Sequence, residues 1–288
     1  FTMKSDRRNC DLSFSNLCSW RFLYDTQYAV IDNFLVFKFW AGEQLAYMMP
    51  VGSGDLKAIL RELIEDADKE KHNFCMLGVC SNMRADLEAI LPGQFTFTEN
   101  RDYADYIYLR SDLATLKGKK FQAKRNHINR FRNTYPDYEY TPITPDRIQE
   151  CLDLEAEWCK VNNCDQQEGT GNERRALIYA LHNFEALGLT GGILHVNGKI
   201  VAFTFGMPIN HETFGVHVEK ADTNIDGAYA MINNEFANHI PEQYIYINRE
   251  EDLGLEGLRK AKLSYQPVTI LEKYMACLKD HPMDIIRW

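Results

Sequence analysis

The chain is 288 residues long, 45% hydrophobic, 25% charged and 12% aromatic, with a formal net charge of −9. These values describe a folded protein with a substantial core and exclude disordered and fibrous classes, and the length favours two domains over one. The longest wholly apolar runs, around Phe34–Phe37 and Phe39–Ala41, fall far short of the roughly 20 residues a membrane helix needs, and no signal-peptide pattern stands at Phe1. A soluble, cytoplasmic protein with no transmembrane segment is expected, and its acidity argues against DNA as a partner.

Leu12 to Tyr24 reads as helix, Tyr28 to Ala41 as two apolar strands or a hairpin, and Gln44 to Met49 as a strand stopped by Pro50. In VGSGDLKAILRELIEDADKE, Asp55 is placed to cap a helix whose Leu56, Ile59, Leu60, Leu63 and Ile64 form one apolar stripe. Asn73 to Cys80 is a short strand, Arg84 to Leu91 a helix ended by Pro92 and Gly93, and Gln94 to Leu109 carries alternating aromatic strands.

The run from Lys117 to Tyr135 holds four Lys, three Arg and no acid, which leaves −16 on the rest of the chain. Phe121, Ile128, Phe131 and Tyr135 at helical spacing give this segment an apolar face opposite a basic one. The basic face is either ordinary solvated surface or a phosphate-binding surface formed by Lys119, Lys120, Lys124, Arg125 and Arg132.

The proline-rich stretch TYPDYEYTPITPD, residues 134 to 146, reads as a linker between domains spanning 1–136 and 145–288. A helix capped by Thr144 or Asp146 then runs to Val161 and another spans Glu173 to Leu187. Asn197-Gly198 is the type I′ turn of the hairpin GGILHVNGKIVAFTFGMPI. Next come a strand (TFGVHVEKA), a polar loop (DTNID), an amphipathic helix (GAYAMINNEFANHI), a strand (QYIYIN), a charged turn (REEDLG) and a second helix (LEGLRKAKLSY), before a closing strand, PVTILEKYMACL. The two halves repeat one order of elements, in pattern rather than in residue identity. The fold class is therefore α/β or α+β, with each sheet flanked by helices.

The eight cysteines, Cys10, Cys18, Cys75, Cys80, Cys151, Cys159, Cys164 and Cys277, contain no CxxC pair and read as reduced, partly buried thiols. Cys159, Cys164 and His182 match no common zinc spacing, so no metal is expected. P-loop, HExxH and GxSxG patterns are all missing.

The segments DYIYLRSDLATLKGKKFQAKRNHINRF and YINREEDLGLEGLRKAKLSYQP resemble the family sharing the C-terminal domain of bacterial phosphatidylglycerol lysyltransferases. That is a tandem-GNAT group related to the Fem-type peptidoglycan bridge transferases, and the resemblance spans nearly the whole chain without the membrane-spanning part of the lipid-modifying enzymes. It implies two tandem GNAT-like (acyl-CoA N-acyltransferase) domains, each a mixed sheet flanked by helices, and an acyl or aminoacyl transfer. In the GNAT superfamily the pyrophosphate loop usually reads Arg or Gln, two residues, Gly, one residue, Gly or Ala. Here NIDGAY keeps Gly227 but places Asn224 first, Tyr229 last and Asp226 beside the helix start, where an acid caps the helix and repels a diphosphate.

On this reading an activated donor lies along Phe214, Val216 and Val218, with its anionic part at Asn224, Gly227, Ala228 and Tyr229, where free helix N–H groups favour phosphate. The VGSGD loop is a rival anion site. Transfer to an amine needs a base and an acid: Glu219, Glu251 and Asp252 are the candidate bases and Tyr265 the acid, while Arg249, Arg259 and Lys262 are placed to bind a substrate carboxylate or phosphate. Each has a plainer alternative as a solvated strand end, packed aromatic or helix-surface charge.

Three functions follow. The first is an acyltransferase using acyl-CoA, with coenzyme A as its cofactor, acting on an amine or hydroxyl of a small-molecule, lipid or peptide acceptor. The second is an aminoacyl-tRNA-dependent transferase acting on a lipid or cell-wall precursor, its basic helix tracking tRNA phosphates. The third is a non-enzymatic ligand-binding protein with a decayed site.

Overall fold

The computed structural model describes residues 1–162 and 168–279. Two short helices, α1 (Phe14–Ser19) and α2 (Arg21–Tyr24), precede the antiparallel strands β1 (Gln27–Ile31), β2 (Phe34–Ala41) and β3 (Gln44–Tyr47), with β4 (Val51–Gly52) paired to β2. Asp55 caps α3 (Leu56–Lys69) as expected, accepting from Ala58 N at 3.1 Å, and Ile59, Leu60, Leu63 and Ile64 are buried in one cluster. β5 (Cys75–Val79), α4 (Ser81–Ile90) and β6 (Phe95–Glu99) close this stretch.

The chain then leaves for a second sheet. It runs through β7 (Asp105–Leu109), α5 (Arg110–Thr115), α6 (Gln122–Thr134), β8 (Glu139–Pro142), α7 (Ile148–Asn162), α8 (Glu168–His182), β9 (Thr190–Val196) and β10 (Lys199–Pro208). β11 (Thr213–Ala221), α9 (Ala228–His239), β12 (Tyr246–Asn248), α10 (Glu256–Leu263) and β13 (Thr269–Leu271) follow, and β14 (Tyr274–Leu278) returns to the first sheet. At the β9–β10 turn Asn197 (φ 51°) and Gly198 (φ 73°) are both left-handed, the conformation a type I′ turn demands.

The first sheet has the order β1-β2-β3-β5-β14-β6 and the second β13-β7-β12-β11-β10-β9-β8. Each contains one parallel pair, β3 with β5 and β11 with β12. In each, the next strand comes from the other half of the chain and is antiparallel to both neighbours: β14 lies between β5 and β6, and β7 between β12 and β13. The internal repeat is therefore one of topology, with a strand exchanged in each direction.

This exchange corrects the expected organisation in two places. Residues 134 to 146 are not a free linker, because Glu139–Pro142 pairs with β9 as an edge strand, where a proline without an N–H is tolerated. Sheet membership changes instead around residues 100–104 and 272–273, so PVTILEKYMACL is two strands in different sheets and Asp105–Leu109 belongs with the second half. Periodicity within a segment carries no information about which sheet it joins.

In the first unit α3 and α4 cover one sheet face, and the N-terminal segment covers the other through Leu12 and Leu17 packed on Leu35, Phe37 and Val51. In the second, Phe121, Ile128 and Phe131 of the basic run are buried with α9 against one face, and α7 and α8 pack on the other. Cys18 of α1 reaches that last layer, so the N-terminal segment touches both units. It is tied down by Asn210 Nδ2 and Asn248 Nδ2, which donate to the carbonyls of Arg7 (2.8 Å) and Arg8 (2.7 Å). Among the described residues no helix is long and apolar enough to cross a membrane.

Cys75 and Cys277, expected to be reduced, form a disulfide between directly paired positions of β5 and β14, with Cα atoms 4.1 Å apart and a sequence separation of 202. Spacing could not suggest this pair because only the strand exchange brings it together. Cys10, Cys18, Cys80, Cys151 and Cys159 are free, and Cys164 lies outside the described residues. Reduction, or Cys75→Ala, is expected to cost about 2–5 kcal/mol. Thermal melts with and without reductant check this; a melting temperature indifferent to reductant in wild type would show that the bond contributes nothing.

Candidate active site

β11 and β12 pair only at Thr213–Tyr246, Phe214–Ile247 and Gly215–Asn248. Beyond Gly215, β11 continues along β10 while β12 ends, and the two strands part. The register with β10 slips here, Gly206 facing Val216 and Phe205 facing Val218, which leaves His217 as the extra residue of a bulge. A bulge re-aims the side chains that follow it. Phe214 and Val216 are buried on the α9 side, Val218 packs into the α7–α8 layer, and Glu219 then points back toward α9.

Four residues expected at the site converge at this split. Glu219 pairs with Arg249, Nη2 to Oε1 at 3.0 Å, and accepts from Asn233 Nδ2 at 3.2 Å. The Arg249 guanidinium lies 4.8 Å from the centroid of the Tyr265 ring and 5.6 Å from that of Tyr108. Lys124 Nζ, reaching in from α6, stands 4.0 Å from the centroid of the same Tyr265 ring. Burial holds the Tyr265 hydroxyl well above the usual phenol range, so it stays protonated at neutral pH. Burial and the charge of Arg249 lower the Lys124 pKa. Asn233 and Tyr108 were not singled out from sequence; the paired asparagines Asn233 and Asn234 on the packed side of an amphipathic helix were the available signal.

The other expected residues serve the scaffold. Asp252 is fully buried and accepts from Arg259 Nε (2.8 Å), Arg259 Nη2 (2.8 Å), Gly254 N (2.9 Å) and the Tyr106 hydroxyl, with Arg101 at 3.5 Å. These donors hold its pKa far below the usual carboxylate range, so it is no base. Arg259 is spent on Asp252 and Asp102. Buried Lys262 donates to the carbonyls of Arg249 and Glu251 (2.6 Å), fixing the charged turn that presents Arg249.

The expected donor loop is roofed by α6. Asp226 pairs with Arg130 at 2.7 Å and lies 3.8 Å from His127, both on α6, so this acid anchors a helix instead of guarding an anion site. A Cβ on Gly227 (φ 83°) would stand 2.9 Å from the His127 carbonyl oxygen. A bulky residue there would disturb α6 whatever the ligand. Ala228 is buried, Asn224 turns back to Asp222 (2.9 Å), and the Tyr229 hydroxyl accepts from Trp158 Nε1 (3.1 Å). On α6 and the turn before it, Lys120 pairs with Asp112, Arg125 donates to the carbonyls of Leu116 and Gly118, and Arg132 is 3.9 Å from Glu235; Lys119 is exposed. The basic face is thus largely engaged with the protein itself.

Glu251 lies at the strand-exchange junction. Lys273, at the start of the return to the first sheet, pairs with Asp105 and Asp11, each at 2.8 Å, and Asp105 also accepts from Cys10 N and Asn248 Nδ2, each at 2.8 Å. Cys10 Sγ donates to Asp105 (3.3 Å) or Glu251 (3.4 Å). Three potential metal-ligand atoms of Cys10, Asp105 and Glu251 gather within 4.8 Å, but the Lys273 ammonium, 3.6 Å from Cys10 Sγ, supplies the positive charge there. Close by, His217 bridges Ser13 Oγ (2.8 Å) and Glu250 (2.7 Å); Ser13 is fully buried and caps α1, so the trio ties the N-terminal segment to β11.

Burial, together with Glu250, Asp105 and Asp11, pushes the Glu251 carboxyl up to about 7 despite Lys273. A raised folded-state pKa means that its contribution to stability is full below the ordinary value of 4.5 and is lost as pH rises through about 7. Glu251→Gln is expected to remove that decline and to stabilise the protein at alkaline pH by on the order of 2 kcal/mol after solvent screening. Urea midpoints across this range check it, and parallel pH profiles for the two proteins would disprove it.

The two mixed sheets, their flanking helices and the split parallel strands define a two-sheet α/β protein. Residues 2–277 match the family described as "Phosphatidylglycerol lysyltransferase, C-terminal", and the chain belongs to that family. It is 95% identical to a conserved protein of unknown function from Bacteroides thetaiotaomicron VPI-5482, whose crystal structure superposes with a TM-score of 0.95 over 97% of this chain and 94% of that one. The C-terminal domain of a putative lysylphosphatidylglycerol synthetase from Agrobacterium fabrum shares the fold at 13% identity (TM-score 0.70, 95% of this chain, 88% of that one). So does L-PGS from Bacillus licheniformis at 18% identity (TM-score 0.64, 93% and 89%). An uncharacterized protein of Mycoplasmoides gallisepticum is 26% identical over 175 residues, 59% of this chain and 55% of that protein, so the match spans about half the length of that relative.

Proposed function

We propose that this chain transfers an activated acyl or aminoacyl group to an amine or hydroxyl acceptor at the split between β11 and β12. The observation that carries this reading is the meeting there of a carboxylate, Glu219, and a protonated phenol, Tyr265, both against Arg249. Glu219 accepts the proton of the attacking nucleophile as its N or O bonds to the donor carbonyl carbon, and Tyr265 protonates the departing thiolate or alkoxide as the old ester bond breaks. Arg249 holds Glu219 in place. Membership of the lysyltransferase family supports aminoacyl transfer to a phosphatidylglycerol-type lipid as the substrate pair to try first. The engaged basic face of α6 favours recognition of the donor at its reactive end over tracking along a tRNA backbone.

The test supplies radiolabelled acetyl-CoA, or lysyl-tRNA with phosphatidylglycerol vesicles, and follows label into the acceptor. Transfer from one donor is expected, with Glu219→Gln slower by about 10²-fold or more. No transfer from either donor, or full activity in Glu219→Gln, would overturn the reading.

A further inference from the structure

We infer that the split between β11 and β12 contains a phosphate-binding subsite, formed by Lys124 and Arg249 against the ring of Tyr265. From sequence these two cations served different ligands, one on a basic helix and one on a charged turn, yet the fold brings both onto one phenol ring. The nearby acid is Glu219, and it is committed to Arg249 Nη2 and Asn233. Among the described residues Lys124 has no carboxylate within ion-pair distance, and the buried Arg249 Nη1 has no hydrogen-bond partner. A recessed place with two cations against one anion and an idle guanidinium N–H is costly when empty and satisfied by an incoming anion. The lowered Lys124 pKa has the same origin, since burial and Arg249 both disfavour its charge.

The geometry selects among anions. A carboxylate is best held by two parallel N–H groups of one guanidinium, but Arg249 Nη2 already serves Glu219. What remains is the Nη1 amino group of that guanidinium and a separate ammonium on another element, which suits a tetrahedral group offering several oxygens in different directions. The ligand class is therefore a phosphate ester. In the transferase reading, on which this inference builds, that phosphate belongs either to the donor, as in coenzyme A, or to the acceptor, as in a glycerophospholipid headgroup.

Calorimetric titration of the intact chain at low salt with inorganic phosphate, coenzyme A, soluble glycerophosphoglycerol and acetate tests the subsite without turnover. Phosphate is expected to bind and acetate to bind more weakly, and Lys124→Met, whose chain still covers Tyr265, is expected to weaken phosphate affinity by about tenfold or more. Arg249→Lys, which keeps a cation for Glu219, should weaken it too. A Lys124-dependent gain with coenzyme A identifies the donor as the source, and one with glycerophosphoglycerol the acceptor. Equal affinities for wild type and Lys124→Met, or acetate bound as tightly as phosphate, would overturn the inference. Phosphate binding without acyl transfer would leave it standing and reject the transferase reading alone; transfer without phosphate binding would do the reverse.

Discussion

Ending the chain after Glu272 is expected to abolish the cooperative fold of the first sheet. β14 is hydrogen-bonded on both sides, from Cys277 beside Cys75 of β5 to Leu278 beside Phe95 of β6. Its Ala276 and Leu278 are buried in the same cluster as α3 and α4, its Cys277 closes the disulfide, and Lys273 before it is the counter-ion of Asp105 and Asp11. Removal opens two strand edges, strips the core and leaves two acids facing each other. Together these losses rival the whole stability of a typical domain, about 5–15 kcal/mol. Circular dichroism melts and dye binding would show a broad, non-cooperative transition. A truncated chain that kept a sharp melt and a protease-resistant N-terminal half would mean that this half folds without its borrowed strand.

Asp252→Ala is expected to cost about 1–3 kcal/mol, because the Tyr106 hydroxyl and Gly254 N lose their acceptor, the part-exposed Arg101 loses its counter-ion and Arg259 keeps Asp102 alone. The pH dependence carries the same signature. Asp252 has a folded-state pKa depressed by Arg259 and Tyr106 despite its burial, so its contribution is present above the unfolded value, near 3.9, and is lost as pH falls below it. Wild type should lose stability on acidification more steeply than Asp252→Ala, the opposite trend from that of Glu251. Urea unfolding at neutral and acid pH measures both effects. If the variant were as stable as wild type and merely inactive, Asp252 would be a catalytic group and its structural assignment would be wrong.

Local chemistry was legible in the sequence wherever it depends on near neighbours. The Asp55 cap, the Asn197-Gly198 turn, the apolar stripe of α3 and the buried face of α6 all follow from spacings of a few residues. The site was legible in part: Glu219, Arg249, Tyr265 and Lys124 were each named, yet nothing in their spacing said that Lys124 and Arg249 share a ring. Glu251 and Asp252 illustrate the limit. They are adjacent in a charged turn, but one reaches the junction acids and the other a cage of donors, so neighbouring carboxylates shift in opposite directions. The strand exchange was beyond reach, because β7 and β14 have ordinary strand patterns and only tertiary pairing decides which sheet accepts them.

The exchange also sets when the molecule can be finished during synthesis. β5 and β6 leave the ribosome early with the gap between them unfilled, and the partner of Cys75 follows only 202 residues later. β7 waits in the same way for β12 and β13. The usual order, in which an N-terminal unit folds while the rest is still being made, is therefore closed to this chain. Both sheets are completed together, only once β13 and β14 have been made, and until then their open edges depend on speed or on chaperones to avoid pairing with other chains.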